Sequence, residues 1–227
     1  MATCYMCDNE STSSEHVPPR CLFPEQKDLP EGMDLRKSLL TVPSCDLHNS
    51  IKSSDDEYLL YCLVLSIPAN EVAKNHFLTK IIRAIKRNPS LIKKYLTTTK
   101  NVDVENMDTK EWSKTIGCQI DDERFDKSLE QLSRALYFHH FGTKSTGEIG
   151  IYPNFLLSMS EGYKETNANI AKMDEMSEAL FSKEPSHGAN PEVFRYCAVD
   201  QGIGKQKFLR LYFYGGNRVT IIFKNEG

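Results

Sequence analysis

Two short knuckles constrain this chain more than any other feature: Cys4-x-x-Cys7, and Cys45-x-x-His48 after an interval of 37 residues. Each presents two metal-ligating side chains from a tight turn. Together they supply the four soft or borderline ligands that a tetrahedral structural zinc requires. The seven cysteines are an odd count, and their spacing is not that of a small disulfide scaffold. In a reducing compartment a close pair reads as a metal or redox site. Cys21 is an alternative ligand, whereas Cys62, Cys118 and Cys197 sit in apolar contexts that suit a core.

The interval between the knuckles carries Glu15-His16-Val17-Pro18-Pro19. Val17 precedes a proline and is therefore biased to extended backbone, and the two prolines stiffen the chain beyond it. His16 is thus expected at the end of a strand. Asn49 directly follows His48, so a metal held there would fix its position too. A carboxylate and an amide oxygen suit a hard ion such as Mg²⁺ or Mn²⁺. A neutral imidazole beside them suits taking a proton from water. Asp55 or Asp56 is a candidate third oxygen ligand, the other reading being a helix cap.

Cys-x-x-Cys, Glu-His-Val-Pro-Pro and Cys-x-x-His-Asn, in that order, resemble the HNH endonucleases, the zinc-stapled branch of the ββα-metal nucleases. The resemblance covers residues 4 to about 60. The run "RALYFHHFG" (134–142) is also similar to one that accompanies such modules. What the resemblance implies is a strand holding His16, a second strand, and a helix starting near Asn49. His16 would be the general base and Glu15 and Asn49 would hold one divalent ion on the scissile phosphate. The substrate would be DNA, with RNA also open. The sequence departs from the pattern in lacking a second histidine or asparagine after Asn49, and in placing His48 where cysteine is common. Small HNH proteins with long helical extensions resemble nuclease subunits of bacterial anti-phage systems, which implies a regulatory protein partner. Two active sites for a double-strand break would favour a homo-oligomer. A different class of function fits the same knuckles: a non-catalytic zinc module that binds nucleic acid or a partner protein.

Beyond residue 60 the pattern is that of an α+β protein. "SSDDEYLLYCLVLSI" reads as a helix broken at Pro68, and 69–88 as an amphipathic helix with Val72, Phe77, Ile81 and Ile85 near one face. Val72 to Lys100 holds eight Lys or Arg and no acid, although the net charge is −3. Lys80, Arg83, Lys86, Arg87, Lys93 and Lys94 are therefore candidate phosphate contacts. Residues 98–121 are polar and less regular. Phe125, Leu129, Leu132 and Leu136 mark the clearest helix, capped by Asp121 or Asp122 and ended by Gly142. One further helix is expected near "AKMDEMSEALF". The β-branched and aromatic runs at the end, with "GGN" between the last two, predict antiparallel strands. The expected organisation is a zinc-bearing ββα (HNH) module over 1–66, a mainly helical region over 67–190, and a C-terminal β-meander over 191–227. With 40% hydrophobic residues there is material for a core, yet no run reaches the roughly 20 apolar residues of a membrane helix. The start "MATCYMC" has no secretory character, so the expected location is the cytoplasm.

Overall fold

The computed structural model describes residues 2–49, 53–91, 98–105, 109–159, 161–202 and 206–224. At its centre stands a five-stranded antiparallel sheet in the order β5-β9-β8-β7-β6. It is built from β5 (Ile149–Pro153), β6 (His187–Asn190), β7 (Phe194–Asp200), β8 (Lys207–Phe213) and β9 (Asn217–Phe223). Alternation along these strands divides the sheet into two apolar faces. Phe194, Tyr196, Leu209, Leu211, Phe213, Val219 and Ile221 enter the main core. Cys197, Phe208 and Tyr212 form a second cluster with Phe181 on the other face.

The sheet reaches back beyond residue 191, the expected start of the β region, because β5 pairs with β9 across some 70 residues of chain and β6 pairs with β7. The turn between β8 and β9 is one place where glycine is obligatory. A Cβ on Gly216 would lie 2.1 Å from the Pro68 carbonyl oxygen, so the hairpin and the turn after the first long helix pack backbone to backbone.

That helix, α2 (Ser53–Val64), buries Tyr58, Leu59, Leu60, Tyr61, Leu63 and Val64. A helix apolar on most sides belongs inside a core. It packs against α5 (Asp122–Phe141), whose Phe125, Leu129, Leu132 and Leu136 are all fully buried, as their spacing implies. The Asp121 side chain accepts from the Arg124 N–H at the start of α5, and Gly142, at φ 72°, ends it. The amphipathic segment after Pro68 forms α3 (Glu71–His76) and α4 (Ile82–Arg87), with a π-turn over Phe77–Ile81 between them. Thr79 Oγ1 donates to the Asn75 carbonyl within that turn, a back-bond that bends helices.

Two regions differ from the sequence reading. The polar stretch 98–121 contains a regular hairpin, β3 (Thr99–Glu105) with β4 (Trp112–Cys118). Its outward face carries Trp112 and Ile116, so little apolar burial marked it in advance. The helix expected near residue 171 is longer, as α6 (Tyr163–Phe181), and covers the second sheet face. The fold is thus α+β, with N-terminal strands and the candidate metal ligands, a helical middle, and a C-terminal antiparallel sheet. Among the described residues, no helix is long and apolar enough to cross a membrane.

Candidate metal centre and the surface beside it

β1 (Ser13–His16) and β2 (Thr41–Ser44) form an antiparallel pair, and α1 (Asp46–Asn49) follows β2 directly. The first knuckle folds back on this hairpin: the Tyr5 N–H donates to the Pro43 carbonyl and the Cys4 N–H to the Asn9 carbonyl. Cys4, Cys7, Cys45 and His48 thereby converge, with all four ligand atoms within 4.8 Å of one another.

The separations fit a single tetrahedral ion. His48 Nδ1 lies 3.5 Å from Cys4 Sγ, 3.6 Å from Cys7 Sγ and 3.2 Å from Cys45 Sγ, and the Cys7 and Cys45 sulfurs are 3.8 Å apart. Zn–S and Zn–N bonds at tetrahedral angles place sulfur and nitrogen about 3.6 Å apart and two sulfurs about 3.8 Å apart. Burial alone would raise the Cys4 thiol, but the backbone N–H groups of Met6, Cys45 and Cys7 outweigh it and bring its pKa down to about 6. Cys4 is therefore biased to the thiolate that zinc binds, whereas burial raises the Cys7 thiol. Cys21 stands apart from the cluster: its thiol donates to the Asp56 carbonyl, and burial pushes its pKa up to about 12.

The expectation of an HNH endonuclease, with His16 as base and Glu15 and Asn49 as ligands of a catalytic ion, is overturned by this geometry. Among the described residues, the Cys3His group alone gathers three or more His, Cys, Asp or Glu side chains at metal-binding range. Glu15 and His16 are successive residues of one strand, so their side chains leave on opposite faces. Glu15 points inward and is 5% exposed, beside Tyr5, whose hydroxyl is raised by burial and then by the Glu15 charge. The Asn49 amide instead donates to Ser13 Oγ at 2.9 Å. Asp55 is bound to Arg124 Nε at 2.7 Å and serves the α2–α5 contact. The residues expected to hold Mg²⁺ or Mn²⁺ are thus dispersed into the fold, and only the zinc ligands are assembled. The reading as a phosphodiester hydrolase and anti-phage effector rested on that catalytic set and falls with it.

His16 remains half-exposed at the end of β1, and burial, then Arg20 and Arg36, lower its pKa. Both arginines were missed in the sequence, where the only hint was Arg20 following the two prolines. Arg36 Nε and Nη2 both donate to the Phe23 carbonyl, which holds the guanidinium in place without neutralising it. Neither Arg20 nor Arg36 forms an ion pair among the described residues.

Of the candidate phosphate contacts, Lys80 donates to the Cys21 carbonyl at 3.1 Å and Arg83 grips Asp28 through two 2.6 Å bonds. These two tie the helix to the segment that carries Arg20. Lys86 and Arg87 lie at the end of α4, Lys86 and Arg87 both turned towards solvent, and Lys93 and Lys94 lie outside the described residues. Comparison with protein-family models, with curated proteins and with solved structures yields no match for this chain.

Proposed function

We propose that the chain is a non-catalytic, zinc-stapled ββα module of the HNH type that binds nucleic acid through its phosphate backbone. The observation that carries this reading is the group of cations at the end of β1, where Arg20 and Arg36 stand near His16 without an ion pair to an acid. Glu25 and Asp34 lie close enough to Arg36 to offset part of its charge, but Arg20 acts on it more strongly than either, and cations crowded in this way favour a polyanion as their partner. Lys80 adds a further charge nearby, since Arg36 lies near enough to lower its pKa after burial does. Lys86 and Arg87 are exposed at the end of α4, about 9 Å further along by helical rise.

In this reading zinc is structural. It fastens the first knuckle to the β1–β2 hairpin and α1, and so fixes the end of β1 where the cations gather. A partner protein is the competing occupant, and its surface would have to be acidic.

The test is anisotropy of a labelled duplex and single strand of about 20 nucleotides with the zinc-loaded chain, between about 50 and 200 mM salt. Affinity is expected to fall steeply with salt, and Arg20→Ala and Arg36→Ala are each expected to reduce the logarithmic salt slope by about 1. Affinity independent of both arginines would refute the reading.

A further inference from the structure

A pair of imidazoles separate from the Cys3His group lies at the seam between α5 and the sheet edge. His140, on the last turn of α5, and His187, the first residue of β6, have ring centroids 5.0 Å apart. An ion bound by two imidazoles sits about 3.2 Å from each ring centroid, which spaces the centroids roughly 4.5–5.2 Å apart for square-planar to tetrahedral angles. The two rings already have that separation.

The local backbone is shaped to place His187. Its register partner on β7 is Tyr196, and the register shifts between His187 and Asn190. Gly188 makes this irregularity possible: it has φ 128°, and a Cβ there would lie 2.7 Å from the Phe194 carbonyl oxygen. Bulges of this kind re-aim side chains at sheet edges. His187 then stacks at 5.1 Å on the Tyr196 ring.

Tyr196 also supplies the outer support that a ligating histidine normally has. Its hydroxyl is 3.4 Å from His140 Nδ1, and burial pushes its pKa up to about 12, so it remains a phenol. Nδ1–H of His140 can donate to it, which leaves Nε2 as the metal-binding atom. His140 is exposed and His187 half-exposed, so an ion reaches both from solvent.

We propose that His140 and His187 form a second metal site, for one borderline divalent transition ion such as Zn²⁺ or Cu²⁺, with Tyr196 positioning His140. Water or an external ligand completes the coordination. The other charged groups acting on His140 are His139 and Lys207. The Lys207 ammonium lies 4.4 Å from the Phe141 ring centroid and pairs with Asp200, which partly offsets its repulsion of the ion. His139 is the preceding residue on the helix, about 100° around the axis, and lies outside the site.

The experiment is calorimetric titration of Zn²⁺ into the full chain whose Cys3His cluster is already loaded, at about pH 7.5. One further ion per chain is expected. His140→Ala and His187→Ala are each expected to weaken that event at least tenfold, Tyr196→Phe about tenfold, and His139→Ala not at all. Thermal midpoints without added ion separate misfolding from ligand loss, and the exposed His140 makes its variant the decisive one. Copper added under the same conditions should give an electron-resonance signal with nitrogen ligands that disappears in His140→Ala. Absence of a second event, or its persistence at full affinity in His140→Ala, overturns the proposal.

Discussion

Lys144 and Cys7, 137 residues apart in the chain, meet at the base of the zinc cluster. The Lys144 ammonium donates to the Cys7 carbonyl at 2.6 Å and lies 2.9 Å from Asp8 Oδ1. The segment after α5 thereby clasps the first knuckle from outside, so the metal turn is tied both to its own hairpin and to the helical core. A charge-assisted bond to a carbonyl, partly open to water, contributes about 1 kcal/mol. Lys144→Met is expected to retain zinc and to lower the thermal midpoint by about 2–4 °C. A fall well beyond that range would show the clasp to be essential to the module.

Removing a zinc ligand should have a different signature. Cys4→Ser takes away a fully buried thiolate and leaves three ligands. The variant is expected to bind less than about 0.1 zinc per chain and to lose backbone protection over β1 and β2, because the binding energy of a structural zinc is folding energy. His16→Ala should leave the zinc content at one. Metal analysis with hydrogen exchange distinguishes the two variants, and equal zinc loss in both would contradict the division made between staple and surface.

The zinc ligands were legible in the sequence because each pair is local: two residues on one turn declare their chemistry without help from the fold. The failed catalytic set was illegible for the opposite reason. Asp55 looks available until Arg124, 69 residues on, arrives to claim it. Asn49 looks like a ligand until the hairpin brings Ser13 beside it. Lys80 and Arg83 look like a solvated basic face until the Cys21–Asp28 segment folds against them. Helix α5 could be read because its apolar stripe is long and uninterrupted, whereas β3 and β4 expose Trp112 and Ile116 and so show little of the pattern that burial imposes.

Acid lability should trace to His76. It is fully buried, its Nδ1 lies 3.2 Å from the Tyr214 hydroxyl, and that hydroxyl donates onward to the Leu22 carbonyl. Burial, then the Lys80 and Arg36 charges, lower its pKa to about 3. The unfolded chain binds this proton near pH 6.5 and the folded chain does not, so stability is full above about 6.5 and falls as pH drops towards 3. The loss is about 1.4 kcal/mol per pH unit for this group. Urea midpoints taken between about pH 7.5 and 5 should decline in the wild type and decline less in His76→Leu. Parallel slopes would assign the acid effect to other groups.

Asp174 on α6 holds two arginines of the sheet. One oxygen faces Arg210, which is fully buried, and the other accepts from Arg218 at 2.6 Å. Asp174→Ala leaves the Arg210 charge in the interior with the more distant Glu178 as its acidic neighbour, 3.7 Å away. The expected loss is about 3–5 kcal/mol in chemical denaturation. A loss under about 1 kcal/mol would mean that α6 is held to the sheet by the Phe181 cluster instead.

A module that binds nucleic acid and does not cut it should slow DNA on a gel and leave every strand whole. The most direct measurement is incubation of zinc-loaded wild-type chain with plasmid and Mg²⁺, reading retardation and strand integrity from the same samples. The predicted result is retarded, intact plasmid, with retardation weakened by Arg20→Ala and Arg36→Ala. Metal-dependent cleavage that disappears in His16→Ala would contradict the central claim, as would zinc-loaded protein that leaves the plasmid unretarded at low salt.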